Sequence, residues 1–284
     1  MRLVLAALAF AMFISGCAGS DETTGDAARF PDGAISVVAN ADIAIGPSRL
    51  IVAVAGSDGR RLGSPDDVIA LEVAPADQPE LRQRADGVFV WIIEDAFGLY
   101  RTEFDFDRPG VWSVTVVPRE GRPLEPSFFA VNEDTAAPGV GDSAPLVPTP
   151  TASDSAIADI TTDPEPDARF YELSLDAAAR SGATTVAVFS TPAFCRTATC
   201  GPLLDQTKKL APEYPEVNFI HVEIYAGFNE PGFVPDGNHL APPVTEEGWS
   251  LPSEPWVFVI NGAGVVTHRF EGVMDPDELR AALA

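Results

Sequence analysis

The sequence is poor in positive charge and in the residue types that most often carry chemistry. Its 284 residues include 42 Asp and Glu but only 18 Lys and Arg, three His and three Cys, which gives a formal net charge of −24. So acidic a chain repels phosphate backbones and anionic lipid headgroups, and we expect no nucleic-acid partner. The acidic residues are scattered, without the spacing of a calcium-binding loop, and are interpreted as a solvated surface.

Long hydrophobic runs are also absent, except for one near the N-terminus. The apolar stretch Leu3–Ile14 is shorter than the roughly 20 residues of a membrane span and is typical of a secretory signal. The residues Ile-Ser-Gly-Cys that end at Cys17 resemble a bacterial lipobox. That resemblance implies a signal peptide over 1–17, lipidation of Cys17, a tether over 18–33, and an extracytoplasmic protein anchored to the bacterial cell membrane. The alternative is an ordinary signal peptide with an incidental cysteine.

The other two cysteines, Cys195 and Cys200, follow a β-branched apolar run at 184–190 and precede apolar residues at helical spacing. Strand, cysteine, helix is an arrangement that holds a sulfur at a helix N-terminus, where the thiolate is favoured over the thiol. The pattern therefore predicts a reactive thiol or dithiol. In an oxidising compartment such a close pair is either a structural staple or a redox couple.

The spacing of this pair limits its local structure. In a continuous helix, residues five apart are separated by roughly 8.6 Å at Cα, from the standard rise and radius. A disulfide usually spans about 4.4–6.8 Å. We expect a Cys195–Cys200 disulfide, and the residues 196–199 are therefore predicted to form a loop or an irregular turn.

Composition divides the rest of the chain into three regions. Residues 34–131 contain alternating apolar and polar residues between turn signals, as in Tyr100–Asp107, and predict an all-β immunoglobulin-like sandwich. Residues 132–166 are rich in Pro, Gly, Ser and Thr and are interpreted as a linker. Residues 167–284 show helix, strand, helix, strand, hairpin and helix signals, which predict an α/β domain.

Three features make the last region resemble thioredoxin-like proteins. Phe194-Cys195 stands where that family has Trp-Cys, Pro202–Asp205 matches the helix after the motif, and Glu254-Pro255 matches the cis-proline site. The resemblance implies an α/β thioredoxin-like domain in which Cys195 is the nucleophile and Cys200 resolves. It also implies that Phe194, Arg196 and Pro255 shape the substrate site.

The chain departs from the family pattern around the dithiol. Four residues, rather than two, separate Cys195 from Cys200, and Val188 replaces the buried acid on the preceding strand. The aperiodic segment from Tyr225 to Pro252 leads toward Pro255, and either lines the dithiol or is padding.

Three functions remain open at this point. The preferred one is thiol–disulfide exchange with exported thiol or disulfide proteins, which needs no cofactor and would make the protein a thiol–disulfide oxidoreductase. The second is copper handling of the kind found in Sco-type chaperones, by Cys195, Cys200 and His239, because thiolates and imidazole suit copper. The third is a non-catalytic binding module in which the sandwich recognises a partner and the disulfide is structural.

Overall fold

Residues 30–284 are described by the structure, which is a computed structural model. The predicted signal peptide, most of the predicted tether and the lipidation candidate Cys17 lie outside the described residues. Between residues 30 and 284, no helix is both long and apolar enough to cross a bilayer.

The first region, here called the antiparallel unit (residues 30–131), contains eight strands. They are β1 (Ile35–Val38), β2 (Gly46–Ala55), β3 (Arg61–Leu62), β4 (Ile69–Pro75), β5 (Gln83–Ile93), β6 (Phe97–Phe106), β7 (Gly110–Pro118) and β8 (Ser127–Val131). From Tyr100 to Phe106 along β6, alternate residues are buried, and Arg101, Glu103 and Asp105 between them are more exposed, which is the period-two pattern of a strand with one wet face. The side chains of Tyr100, Phe104 and Phe106 join Trp112 in the core of the unit.

All these strands belong to one sheet with the order β1-β2-β6-β5-β4-β7-β8, and β3 pairs with β2. The predicted immunoglobulin-like sandwich is therefore wrong. The physical reason lies in β5, which pairs with β4 over Gln83–Gly87 and with β6 over Val88–Ile93, so that the sheet bends without being divided. Its outer strands then come together, with Ser36 Oγ 2.8 Å from Ser127 Oγ, and the sheet is nearly closed.

The second region, called the mixed-sheet unit (residues 167–284), is built on four strands. They are β9 (Thr185–Ser190), β10 (Asn218–Glu223), β11 (Trp256–Ile260) and β12 (Val266–Glu271), in the order β10-β9-β11-β12. β9 and β10 are parallel, and the other pairs are antiparallel. Because alternate residues of β9 face opposite sides, Val186 and Val188 enter one core while Ala187 and Phe189 enter the other.

Helix contributes little to this unit, and the predicted α/β thioredoxin-like domain is wrong: only 17% of the structure is helical, beside a mixed four-stranded sheet. Within residues 30–284 the α-helices are α1 (Ile157–Ile160), α2 (Leu175–Ala179), α3 (Cys200–Leu210) and α4 (Pro276–Leu283). α1 and α2 span only four and five residues. α1 is followed by Pro164 and α2 by Gly182, whose φ is +83°, so neither helix continues, and extended segments cover part of the sheet instead.

Residues 132–166, the connecting segment, pack along the mixed-sheet unit. Ala137 and Ala144 enter the core on one face of the sheet, and Ile160 enters the core on the other face. The Nζ of Lys208 on α3 lies 2.7 Å from the Asp163 carboxylate of this segment. The segment thus supplies apolar cover that helices provide in other sheets.

The two units also touch each other. The carboxylate of Glu278 on α4 accepts two hydrogen bonds of 2.8 Å from Arg49 on β2 and lies 3.0 Å from Arg101 on β6. Val273 packs into an apolar cluster on the antiparallel unit that includes Ile51 and Ile92. The mixed-sheet unit therefore covers part of the outer face of the antiparallel sheet.

Candidate functional site

The two cysteines lie where β9 gives way to α3. A disulfide joins Cys195 to Cys200, with their Cα atoms 5.9 Å apart, and this confirms the predicted bond. Residues 191–199, called the cysteine loop, form turns, and α3 begins at Cys200 itself. Ala198 has a φ of +60°, a left-handed conformation that no regular helix contains, so the predicted irregular turn is also confirmed.

The two sulfurs occupy unlike surroundings. Cys200 is fully buried, whereas Cys195 is half-buried and lies at the surface of the loop. The Sγ of Cys195 accepts a hydrogen bond of 3.2 Å from the backbone N–H of Cys200, and it lies 3.3 Å from the hydroxyl of Thr197. An N–H of the first helical turn and a hydroxyl both stabilise negative charge on sulfur. This arrangement favours Cys195 as the more reactive thiol once the bond is reduced.

An aromatic cluster flanks the cysteine loop. The ring of Phe194 lies 6.1 Å from that of Tyr225 and 5.0 Å from that of Phe233, measured between centroids. Phe233 belongs to the aperiodic segment after β10, so this segment packs beside the residue that precedes Cys195. The segment Tyr225–Pro252 thus contacts the cysteine loop at Phe194, and whether it also lines the dithiol stays a prediction.

Pro255 stands immediately before β11, and its bond to Glu254 is cis. The register pairs Trp256 with Phe189, which brings Pro255 to the end of β9 where the cysteine loop starts. Burial raises the pKa of the Glu254 carboxyl, and the opposing influence comes from the exposed Arg196 of the loop. Arg196 and Pro255 are thus both at the site, and their roles in shaping it stay predictions.

Beneath the loop, a polar cluster fills the end of the sheet. His221 on β10 is fully buried, and its two ring nitrogens lie 2.8 Å from the Tyr171 hydroxyl and 2.9 Å from the Ser190 hydroxyl. Burial lowers the pKa of His221 to about 4, so the ring is neutral at pH 7. Glu223, two residues further along the same strand, is also buried.

A groove of about 490 Å³ opens beside the loop. Its walls come from the connecting segment, including Thr162 and Pro164, and from Phe194 and Phe228. Its lining is mostly apolar, and it runs up to the residue that precedes Cys195.

The antiparallel unit also reaches the site. The guanidinium of Arg61 on β3 donates a hydrogen bond of 3.3 Å to the backbone oxygen of Thr197, and it lies over the ring of Phe97 at 4.2 Å. A positive charge from the other unit therefore stands next to the cysteine loop.

His239 does not join the two cysteines. Its Nδ1 lies 3.0 Å from a carboxylate oxygen of Asp236, and its ring stacks edge-on against Phe233. Throughout residues 30–284, no group of three or more His, Cys, Asp or Glu side chains is placed to hold a metal ion. The three residues proposed for copper are therefore not assembled as a metal site in this structure.

No protein-family model matches the chain, and no curated protein matches its sequence. The functional argument accordingly depends on the geometry of the cysteine loop and its neighbours.

Several residues at this site were not singled out from the sequence. The hydroxyls of Thr197 and Thr199 lie 2.7 Å apart beside Cys195, and the Thr-x-Thr spacing between the cysteines was a visible signal for them. The sequence signal for Glu223 is a charged residue at the end of the mostly apolar strand β10. Arg61 carried no signal, because its contact with the loop spans 136 positions of sequence.

Proposed function

We propose that the protein carries out thiol–disulfide exchange with exported thiol or disulfide proteins, with Cys195 attacking and Cys200 resolving. The observation that carries the proposal is the asymmetry of the pair. One sulfur is accessible and hydrogen-bonded at a helix N-terminus, and the other is fully buried behind it. A structural disulfide does not require this difference in exposure, whereas exchange requires one sulfur that is accessible to a partner and one that is shielded.

The exchange proceeds in two balanced steps. The Cys195 thiolate attacks one sulfur of a partner disulfide, forming a mixed disulfide and releasing the other partner sulfur as a thiolate. The Cys200 thiolate then attacks the Sγ of Cys195, which forms the Cys195–Cys200 disulfide and releases the second partner sulfur. Two electrons pass from the dithiol to the partner, and the same steps run in reverse when the partner is a dithiol.

The surroundings of Cys195 support this chemistry. The N–H of Cys200 and the hydroxyl of Thr197 lie against the sulfur and favour the thiolate, and we expect the positive charge of the adjacent Arg196 to do the same. The groove beside Phe194 is open to an extended segment of a partner protein. No observation on the described residues favours copper handling. The experiment must therefore distinguish thiol–disulfide exchange from a structural disulfide.

The test is to trap the intermediate. The full chain with Cys200→Ser is reduced and mixed with glutathione disulfide, and peptide mapping then locates the adduct. A lasting glutathione adduct on Cys195 is expected, because the resolving thiol is missing. The matched Cys195→Ser variant should give little adduct on the buried Cys200. If Cys195 reacts with glutathione disulfide no faster than free glutathione does, the result would favour a structural disulfide.

We further propose that the protein is a bacterial lipoprotein, tethered through lipidated Cys17 to the extracytoplasmic side of the membrane. The support is the lipobox-like sequence that ends at Cys17. Cys17→Ala should release the protein from carbonate-washed membranes or block its maturation. A variant that stays with the washed membranes would rule out this anchor.

A further inference from the structure

A buried carboxylate stands on the strand next to the one that leads into the cysteine loop. Glu223 ends β10 and is paired in register with Ser190, which ends β9. Its side chain accepts hydrogen bonds from the backbone N–H of Thr162 at 2.9 Å, from the hydroxyl of Thr162 at 2.7 Å and from the backbone N–H of Ile224 at 3.1 Å. Burial raises the pKa of this carboxyl, against the lowering effect of the Thr191 hydroxyl and of the Thr162 and Ile224 donors.

The charged groups around Glu223 are otherwise engaged. Lys208 is bonded to Asp163 at 2.7 Å, and His221 is neutral at pH 7 with both ring nitrogens bonded. Among the ion pairs of residues 30–284, none includes Glu223. A buried carboxyl without a cation costs free energy relative to an apolar side chain, so stability alone does not account for it.

Thr162 connects this carboxylate to the cysteine loop. The hydroxyl of Thr162 donates a hydrogen bond to the carboxylate of Glu223 and accepts a hydrogen bond of 3.2 Å from the backbone N–H of Ala193. Ala193 lies two residues before Cys195. Because the Thr162 hydroxyl donates to a carboxylate, its direction is fixed, and its lone pair points toward the backbone N–H of Ala193.

We propose that Glu223 is a positioning residue for Cys195, acting through the hydroxyl of Thr162. The carboxylate orients Thr162, Thr162 holds Ala193, and the loop then places the sulfur of Cys195 against the N–H of Cys200. This inference rests on the proposed exchange function, since it concerns the reactivity of the attacking thiol. When the connection is cut, the sulfur loses part of its contact with the helix N-terminus, and its pKa rises.

The test follows alkylation of Cys195 by iodoacetamide in the reduced full chain, at graded pH and with mass-spectrometric mapping. Thr162→Val keeps the shape of the side chain but loses the hydroxyl. It should raise the pKa of the Cys195 thiol by about half a unit, which slows alkylation about threefold below the pKa. Thr162→Ser retains the hydroxyl and should restore the wild-type profile. The matched control is Thr207→Val, which removes a buried hydroxyl bonded within α3 to the Leu203 oxygen.

A double-mutant cycle then tests the path. If Glu223 acts through Thr162, Glu223→Gln combined with Thr162→Val should react no more slowly than the slower single variant. The inference would be overturned if the two factors by which the single variants slow alkylation multiplied in the double variant. It would also be overturned if the pH profile of Thr162→Val equalled that of wild type or of Thr207→Val. A wild-type Cys195 with an ordinary pKa near 8.5 would overturn the proposed function as well. A lowered wild-type pKa that the variants leave alone would overturn only the positioning role.

Discussion

The antiparallel unit and the mixed-sheet unit enclose their apolar side chains in different ways. The antiparallel unit curls one sheet until β1 and β8 meet, and Tyr100, Phe106 and Trp112 fill the interior. The mixed-sheet unit leaves its sheet open and covers both faces with short helices, loops and the connecting segment. A closed sheet ends in hairpins, whereas an open parallel pair ends in loops that can carry chemistry. Both cysteines of the described residues, and all three histidines, lie in the mixed-sheet unit.

The largest effect should come from breaking the closed core. Trp112→Ala removes a ring that is 1% exposed, and the cavity should cost about 3–5 kcal/mol in the free energy of unfolding. Its neighbour Val111 is 57% exposed, so Val111→Ala should cost less than about 0.5 kcal/mol. Denaturant unfolding measures both. Because this core is separate from the cysteine loop, the alkylation rate of Cys195 in folded Trp112→Ala should match wild type. A changed rate would mean that the two regions are not distinct.

Acid should act on the mixed-sheet unit through His221. Its pKa falls from 6.5 to about 4 on folding, so the unfolded chain binds more protons between these values. The contribution of the neutral His221 ring to the free energy of unfolding is complete above pH 6.5. It is lost as the pH falls toward 4, by up to about 3 kcal/mol. Glu223, with its raised pKa, contributes with the opposite sign.

Comparison with His221→Gln isolates the histidine, because every other group is common to both proteins. Denaturant unfolding from pH 7 to pH 4 should show a steeper loss of stability in wild type than in the variant. Equal slopes would show that the ring is not held neutral by burial.

A smaller effect should come from the contact between the units. Glu278→Gln keeps a side chain that can serve the capping box of α4, but removes the charge that faces Arg49 and Arg101. Because the groups retain some exposure, we expect a loss of about 2 kcal/mol, below the value for a fully buried pair. Arg280→Ala, which removes the exposed ion pairs that this residue of α4 makes with Glu213 and Asp277, is the control and should cost clearly less than Glu278→Gln. Equal costs in the two variants would show that the interface charge contributes nothing beyond a surface pair.

Local patterns predicted much of the site. The spacing of Cys195 and Cys200 excluded a continuous helix between them, and the structure has a turn there with α3 starting at Cys200. The apolar run before the loop is β9, and the last helix signal of residues 167–284 is α4. These features depend on neighbours within a few positions, which is the range over which sequence patterns carry information.

The arrangement of sheets and the surroundings of the loop depend on distant contacts. Nothing local indicates that β5 changes partner between Gly87 and Val88, and this change distinguishes a curled sheet from a sandwich. The connecting segment has the composition of a free linker, yet Thr162 meets Glu223 across 61 positions. Such contacts are set by tertiary packing, which overrides local propensity.

The reduction potential of the Cys195–Cys200 pair tests the central claim most directly. The full chain is equilibrated with graded mixtures of oxidised and reduced dithiothreitol, and the oxidised fraction of the pair is read by alkylation and mass-spectrometric mapping. An exchange couple is expected above about −300 mV, where exported partners can reduce or oxidise it. A value well below about −300 mV would contradict the account, because a bond that resists reduction in this way is a structural staple.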